Sequence, residues 1–296
     1  MTETVRSPQY VIAGLGQTGL SCVRYLQQQS VAFKVWDTRA GFSVSKELAA
    51  QVNADISCGD LPQNYWQGVT HLVLSPGIAT DLPEVARARQ MGVSVIGDIE
   101  LFAQAVNQAV IGITGSNGKT TVTLLTTHIL KKLGFNAIAA GNVGLPALDS
   151  LQHKADISVL ELSSFQLETT RSLALSAGVI LNISADHLDR HHTLAAYSEA
   201  KQRIYNHCRV AVVNRDDSNT MPMTAVETKL ATGLTPASED FGWDAASQTI
   251  TYNGKPLLAL ADTALVGLHN ALNIQSALAL VSVFSQDLNA AAEAVK

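Results

Sequence analysis

The stretch from Ile111 to Thr121, IGITGSNGKTT, ends on Lys119, Thr120 and Thr121. A lysine and hydroxyls after a glycine turn are phosphate chemistry. Backbone N–H groups surround the oxygens, the ammonium neutralises the β- and γ-charge, and the Thr120 hydroxyl reaches Mg²⁺. The general pattern G-x-x-x-x-G-K-[ST] asks for glycine at position 113, where this chain has Ile113; Gly115 and Gly118 still supply backbone freedom. A metal on nucleotide phosphates needs carboxylate oxygen, and Glu161 stands where the apolar run Ile157-Ser-Val-Leu ends.

A second glycine pattern, Gly14-Leu-Gly16-Gln-Thr18-Gly19, opens the chain, and Asp37 follows 18 residues after its last glycine. This is the dinucleotide fingerprint: a tight turn, close backbone approach to a pyrophosphate, and an acid for ribose hydroxyls. By that pattern NAD is the default ligand. Arg39, just beyond Asp37, complicates it, because a guanidinium invites a further phosphate or a conjugated ring.

Elements that could position these residues are legible as alternating patterns. Tyr10–Ala13, Phe33–Trp36, 71–75 and Val93–Ile96 read as strands, with helices over 19–29 and 82–91. The rhythm restarts at 109–113, directly before the second glycine loop. Further strands are predicted at 137–140, 157–161, 178–182 and 210–214, and helices at 122–133 and 270–284. Gln248–Tyr252 followed by Asn253-Gly254 predicts a β-hairpin. The expected class is α/β: a Rossmann-like domain over 1–97, then a P-loop-type mononucleotide-binding domain over 98–296 with a small hairpin region.

Bulk properties exclude several classes. The 296 residues are 47% hydrophobic and 15% charged with a net charge of −5, which argues for large cores and against a nucleic-acid partner. No apolar run reaches the roughly 20 residues of a membrane span. The opening MTETVRSPQY lacks the apolar centre of a leader peptide. Cys22, Cys58 and Cys208 are scattered, which suits a reducing, cytoplasmic compartment. The chain is expected to be monomeric. Its last residues, Leu288–Lys296, are strong helix formers without a stop signal, as in a chain cut before a further domain.

TGSNGKTT, with ELSSFQLE from Glu161 to Glu168 and NISADHLD from Asn182 to Asp189, strongly resembles the Mur ligases of bacterial cell-wall synthesis. GLGQTG, Asp37-Thr-Arg39, Ser75-Pro-Gly77 and Gly97-Asp-Ile-Glu100 point within that family to the member that adds glutamate. The resemblance implies an ATP-dependent amide ligase with UDP-N-acetylmuramoyl-L-alanine and D-glutamate as substrates and an acyl phosphate on the way. It implies ATP contacts at Gly115, Ser116, Asn117, Gly118, Lys119, Thr120 and Thr121, with Asn270 and Asn273 against the adenine. Thr18, Asp37, Thr38 and Arg39 would meet the uridine diphosphate, with Gly77 nearby, and Asn142 the muramoyl portion. Lys119, Glu161, His187 and Lys201 are the implied catalytic set. Thr120, Glu161, His187 and Lys201 would serve Mg²⁺, the last after carbamylation by CO₂ makes it an oxygen donor.

The spacing of His187 and His191 could suit zinc, but there is no H-E-x-x-H and no cysteine nearby; His191 and His192 are expected at the surface. The resembled family has three domains, the third holding the amino acid. On that basis this chain is expected to carry the first two and to bind the UDP substrate with little turnover. Three rivals remain: an NAD-dependent oxidoreductase, a non-catalytic nucleotide-binding module, and another amino-acid-adding Mur ligase.

Overall fold

The computed structural model describes residues 9–296, so most of the opening stretch read for a leader lies outside the described residues. The chain forms two compact units, one of residues up to Ala105 with Pro146–Gln152, the other of Val106–Leu145 with His153–Lys296. Both are α/β with parallel sheets.

In the first unit the elements are β1 (Gln9–Ala13), α1 (Gln17–Gln28), β2 (Ala32–Asp37), α2 (Lys46–Val52), β3 (Ile56–Cys58), β4 (His71–Leu74), α3 (Pro83–Gln90), β5 (Ser94–Ile96) and α4 (Asp98–Ala105). The sheet order is β3-β2-β1-β4-β5, all parallel. The chain leaves β1 towards β2 and β3, then crosses to β4. That makes the gap between the ends of β1 and β4 the topological switch point where ligands bind in such sheets. Val11, Leu72, Leu74 and Val85 form the core around a buried Trp66.

The second unit restarts with β6 (Ala109–Thr114), α5 (Lys119–Lys132) and β7 (Ala137–Gly141); α6 (Ala147–Ser150) belongs to the first unit. There follow β8 (Ile157–Glu161), α7 (Ser164–Glu168), β9 (Leu175–Ile180), α8 (Leu188–His191), α9 (Leu194–Gln202), β10 (Cys208–Asn214) and β11 (Thr228–Thr232). An antiparallel sheet of β12 (Phe241–Asp244), β13 (Thr249–Tyr252) and β14 (Lys255–Ala259) precedes α10 (Leu268–Ser282) and α11 (Leu288–Glu293). The main sheet runs β11-β10-β9-β6-β8-β7, all parallel. So the loop after β6 lies between the loops after β8 and β9. Strand residues such as Ile111, Ile113, Val159, Leu160, Ala177 and Val179 are buried on both faces, as a sheet covered by helices requires.

Expected and observed elements differ where local pattern is thin. The three-residue β3 and the edge strand β11, with Thr228 and Lys229 exposed, carry too little apolar alternation to be read. β9 starts at Leu175 and stops at Ile180, because Asn182 turns away to the phosphate loop. The hairpin turn is as read, with Asn253 at φ 49° and Gly254 at φ 72°. The first unit extends beyond position 97 to include α4, which buries Ile99, Leu101 and Phe102. It also takes in α6, where Asp149 pairs with Arg24, Oδ1 to Nε at 3.1 Å. Among the described residues, no helix is long and apolar enough to cross a membrane.

Candidate functional site

Ile113 is fully buried in β6, and the turn begins two residues later. Gly115 and Gly118 take φ values of +155° and +86°, and Gly118 opens the 14-residue α5 without a side-chain cap. The first N–H groups of α5 therefore have no side-chain acceptor at the cap, an arrangement suited to an anion. A Cβ on Gly118 would also come within 2.6 Å of Asn273 Oδ1.

The loop is held by the segment after β9 through reciprocal hydrogen bonds. Asn117 N donates to Asn182 Oδ1 at 2.9 Å, and Asn182 Nδ2 donates back to Asn117 O at 3.0 Å. Ser116 Oγ donates to Ser184 O at 3.0 Å and accepts from Ser184 N at 2.9 Å, while Ser116 N donates to Asn182 O. Sequence reasoning assigned Asn182 and Ser184 no role. Their only signal is the position of an amide and a hydroxyl just beyond a strand that turns out to neighbour β6.

Two lysines converge on the same loop carbonyl. Lys119 Nζ donates to Gly115 O at 2.9 Å and to Ser116 O at 3.0 Å; Lys201 Nζ donates to Gly115 O at 2.9 Å and lies 4.4 Å from the Tyr197 ring centre. Neither forms an ion pair among the described residues. Lys201 is 1% exposed, and burial, then repulsion by Lys119, pushes its ammonium down to about 7 against the opposing pull of Asp186.

Glu161, also buried, accepts from Thr120 Oγ1 at 2.8 Å and from Asn142 Nδ2 at 2.7 Å. Hydroxyl, carboxylate and amide oxygens together form a hard donor set that fits Mg²⁺. The structure thus brings Thr120 to Glu161 and joins Asn142 to them. His187 is exposed at φ 52°, with Nε2 3.5 Å from Asp186 Oδ2 and its ring 5.1 Å from Phe165. Among the described residues, no three His, Cys, Asp or Glu side chains are set to hold a metal.

The expectation for His191 needs correction. It is 5% exposed, held between Ser164 and Glu168 and stacked on Phe165, because α8 turns this side chain towards α7. His192 is exposed as expected.

Asn270 and Asn273 line a cavity of about 380 Å³ with Asn117, Gly118, Thr121 and His269. Asn273 Nδ2 donates to Asn270 Oδ1 at 3.0 Å, so the two amides face the phosphate loop as a joined pair. The cavity follows directly on the lysine end of the loop.

In the first unit, Gly14 has φ +93°, and a Cβ on Gly19 would sit 1.9 Å from Gly14 O; both glycines serve the turn itself. Gly16 meets nothing within 4 Å, and Thr18 lies in the first turn of α1 beside that open space. Asp37 accepts from Leu15 N at 3.2 Å, Arg39 N at 3.1 Å, Arg39 Nε at 2.7 Å and Arg39 Nη2 at 2.8 Å. A carboxylate has about four acceptor sites, so its own chain fills them, contrary to the role of free ribose acceptor. The Arg39 hydrogen bonds hold its carboxyl below the usual carboxylate range. Arg39 itself lies 3.9 Å above the Phe42 ring centre. Thr38 and Gly77 are exposed at the ends of β2 and β4.

Comparison with known proteins matches residues 113–281 to the Mur ligase middle domain and residues 8–97 to the Mur ligase MurD-like N-terminal domain. The chain is 42% identical over 296 residues to UDP-N-acetylmuramoylalanine–D-glutamate ligase of Alcanivorax borkumensis, covering 97% of this chain and 65% of the relative. It is 41% identical over 303 residues to the enzyme of the same name from Methylobacillus flagellatus, covering 99% and 66%. The chain thus spans about two thirds of the length of these relatives. Among solved structures, the fold is similar to UDP-N-acetylmuramate:L-alanyl-gamma-D-glutamyl-meso-diaminopimelate ligase of Neisseria meningitides (TM-score 0.65, 16% identity, 98% of this chain and 97% of that chain). It is also similar to UDP-N-acetylmuramate–alanine ligase of Thermotoga maritima (TM-score 0.56, 21% identity, 98% and 68%).

Proposed function

The chain belongs to the Mur ligase family, and from that premise we propose that it carries the UDP-substrate and ATP-binding parts of a ligase that adds D-glutamate to UDP-N-acetylmuramoyl-L-alanine. The observation that carries this reading is the clasped phosphate loop with Thr120, Glu161 and Asn142 joined beside it. The relatives named for this reaction support the choice of substrate.

A carboxylate is a poor acceptor for an amine. In the proposed reaction its oxygen attacks the γ-phosphorus of ATP, ADP leaves, and an acyl phosphate forms. The amine of D-glutamate then attacks the acyl carbon, giving up a proton as phosphate departs. The first step brings anions together, so fixed positive charge and aimed N–H groups must dominate the rate gain. The loop N–H groups and the N-terminus of α5 would receive the phosphates, and Lys119 would exchange two loop carbonyls for β- and γ-oxygens. Asn270 and Asn273 would meet the adenine. Thr120, Glu161 and His187 would hold Mg²⁺, which when bound supplies charge neutralisation at the phosphates. Lys201, with its lowered affinity for a proton, would be free to add CO₂ and become a carbamate, joining them as an oxygen donor.

Residues 1–97 would hold the UDP portion through Thr18, Thr38, Arg39 and Gly77, with Asp37 fixing the Arg39 guanidinium, and Asn142 would contact the muramoyl portion. The self-satisfied Asp37–Arg39 pair favours this over the NAD-dependent oxidoreductase. The enzyme would act as a cytoplasmic monomer. Calorimetric titration of this chain with UDP-N-acetylmuramoyl-L-alanine, and with NAD in parallel, tests the reading. Saturable binding of the first alone is expected; binding of NAD alone would sink it.

A further inference from the structure

Three short helices meet on the side chain of His191. Its Nε2 lies 2.9 Å from Ser164 Oγ and its Nδ1 3.3 Å from Glu168 Oε1, both on α7. Its ring stacks on Phe165 at 5.2 Å and 11°, and tilts against Tyr197 of α9 at 5.1 Å and 58°. The same two rings border His187, at 5.1 Å and 6.4 Å, and Tyr197 carries the Lys201 ammonium on its face.

Serine, histidine and glutamate at these distances have the atoms of a nucleophilic triad. Burial excludes that use: Ser164 is 2% exposed and His191 5%, so no substrate carbon reaches the hydroxyl. What the arrangement can do is position. Helix α8 has only four residues and lies between His187 at φ 52° and His192 at φ 63°. A single turn has too few hydrogen bonds to offset its own ordering, and left-handed residues persist only where surroundings impose them. Its orientation therefore comes from side chains that reach other elements. His191 does so most completely, and Arg190 adds a contact to the Phe165 ring at 4.6 Å.

We propose that His191 is a positioning residue: through Phe165 and Tyr197 it sets the His187 ring and the Lys201 side chain relative to the phosphate loop. The inference rests on the reading of His187 and Lys201 as parts of the metal–nucleotide site. Supporting residues behind metal ligands typically change metal affinity about 10–100-fold when removed, without touching the ligand itself.

The test uses the 296-residue chain and the variants His191→Ala, His191→Phe and Ser164→Ala, each checked for folding by its thermal transition. The His187 ring signals are followed by NMR, and binding of a non-hydrolysable ATP analogue is measured with and without Mn²⁺. In wild type the His187 signals should be displaced by the neighbouring rings. His191→Ala should return them towards exposed-histidine positions and weaken the Mn²⁺-dependent part of binding about tenfold, with metal-free affinity unchanged. His191→Phe, which keeps a ring against Phe165, should retain most of the displacement. Ser164→Ala should fall between. Unchanged His187 signals in a folded His191→Ala chain would overturn the inference, as would equal losses with and without metal. If wild type shows no Mn²⁺-dependent binding, the metal-site reading fails, and the inference for the reaction falls with it even where the ring signals move.

Discussion

After β1, Gly14 turns the chain and Gly16 begins α1; after β6, Gly115 and Gly118 do the same for α5. Beyond that shared geometry the two loops are charged differently. The acid beside the first loop, Asp37, is neutralised by the neighbouring Arg39 and by backbone N–H groups. The lysines beside the second, Lys119 and Lys201, donate only to uncharged oxygens, loop carbonyls and the Thr114 hydroxyl, and carry no counter-carboxylate within ion-pair distance among the described residues. Glycines build a cradle in both places. The fixed charges decide that the second favours a polyphosphate, while the first offers a guanidinium on an aromatic ring.

The largest contrast should come from Lys119→Ala. Losing charge-assisted hydrogen bonds to phosphate costs about 3 kcal/mol, close to a hundredfold in ATP affinity. Calorimetry should show UDP-substrate binding unchanged within about twofold; a parallel loss there would break the separation between the loops.

A stability comparison follows from the glycines. Gly118→Ala combines a left-handed φ with a 2.6 Å approach to Asn273 and should lower stability by about 2 kcal/mol in denaturant unfolding. Gly16→Ala meets open space and should stay within about 0.5 kcal/mol. Equal effects would mean that the two turns are built alike after all.

Arg39→Ala should weaken UDP-substrate binding about tenfold, near 1.4 kcal/mol. It also frees Asp37 to accept from a ribose. Appearance of NAD binding in this variant would sharpen the comparison to a single side chain; unchanged UDP-substrate affinity would remove Arg39 from the site.

The smallest effect concerns acid. Asp37 titrates below its unfolded value, so between the two values only the unfolded chain holds the extra proton. Its contribution to stability is complete above the unfolded pKa of about 4 and is lost as pH falls through the folded one. Since the Arg39 side chain is 59% exposed, this amounts to less than about 1 kcal/mol. Asp37→Asn should accordingly show a flatter decline in melting temperature on acidification than wild type.

Much of both loops was readable as sequence. Lys119, Thr120 and Glu161 announce themselves by type and by their place at strand ends, and the structure joins Thr120 to Glu161. His191 was not readable. An H-x-x-x-H spacing after Asp186 carries no sign that the second imidazole is buried under Phe165, since α7 lies 23 residues upstream. The Asn182 clasp on Asn117 was equally silent, since the partners stand 65 positions apart.

Local patterns determined the strands and helices of the α/β class, the hairpin at Asn253-Gly254 and the glycine turn with its lysine in the second loop, because each depends on residues within one or two turns of chain. The order of the strands decided the rest. By placing β6 between β8 and β9, it put Glu161 on one side of the loop and Asn182 on the other, and the convergence of α7, α8 and α9 buried His191. Those contacts arise from packing whole elements, a free energy summed over many buried side chains that no short window of sequence contains.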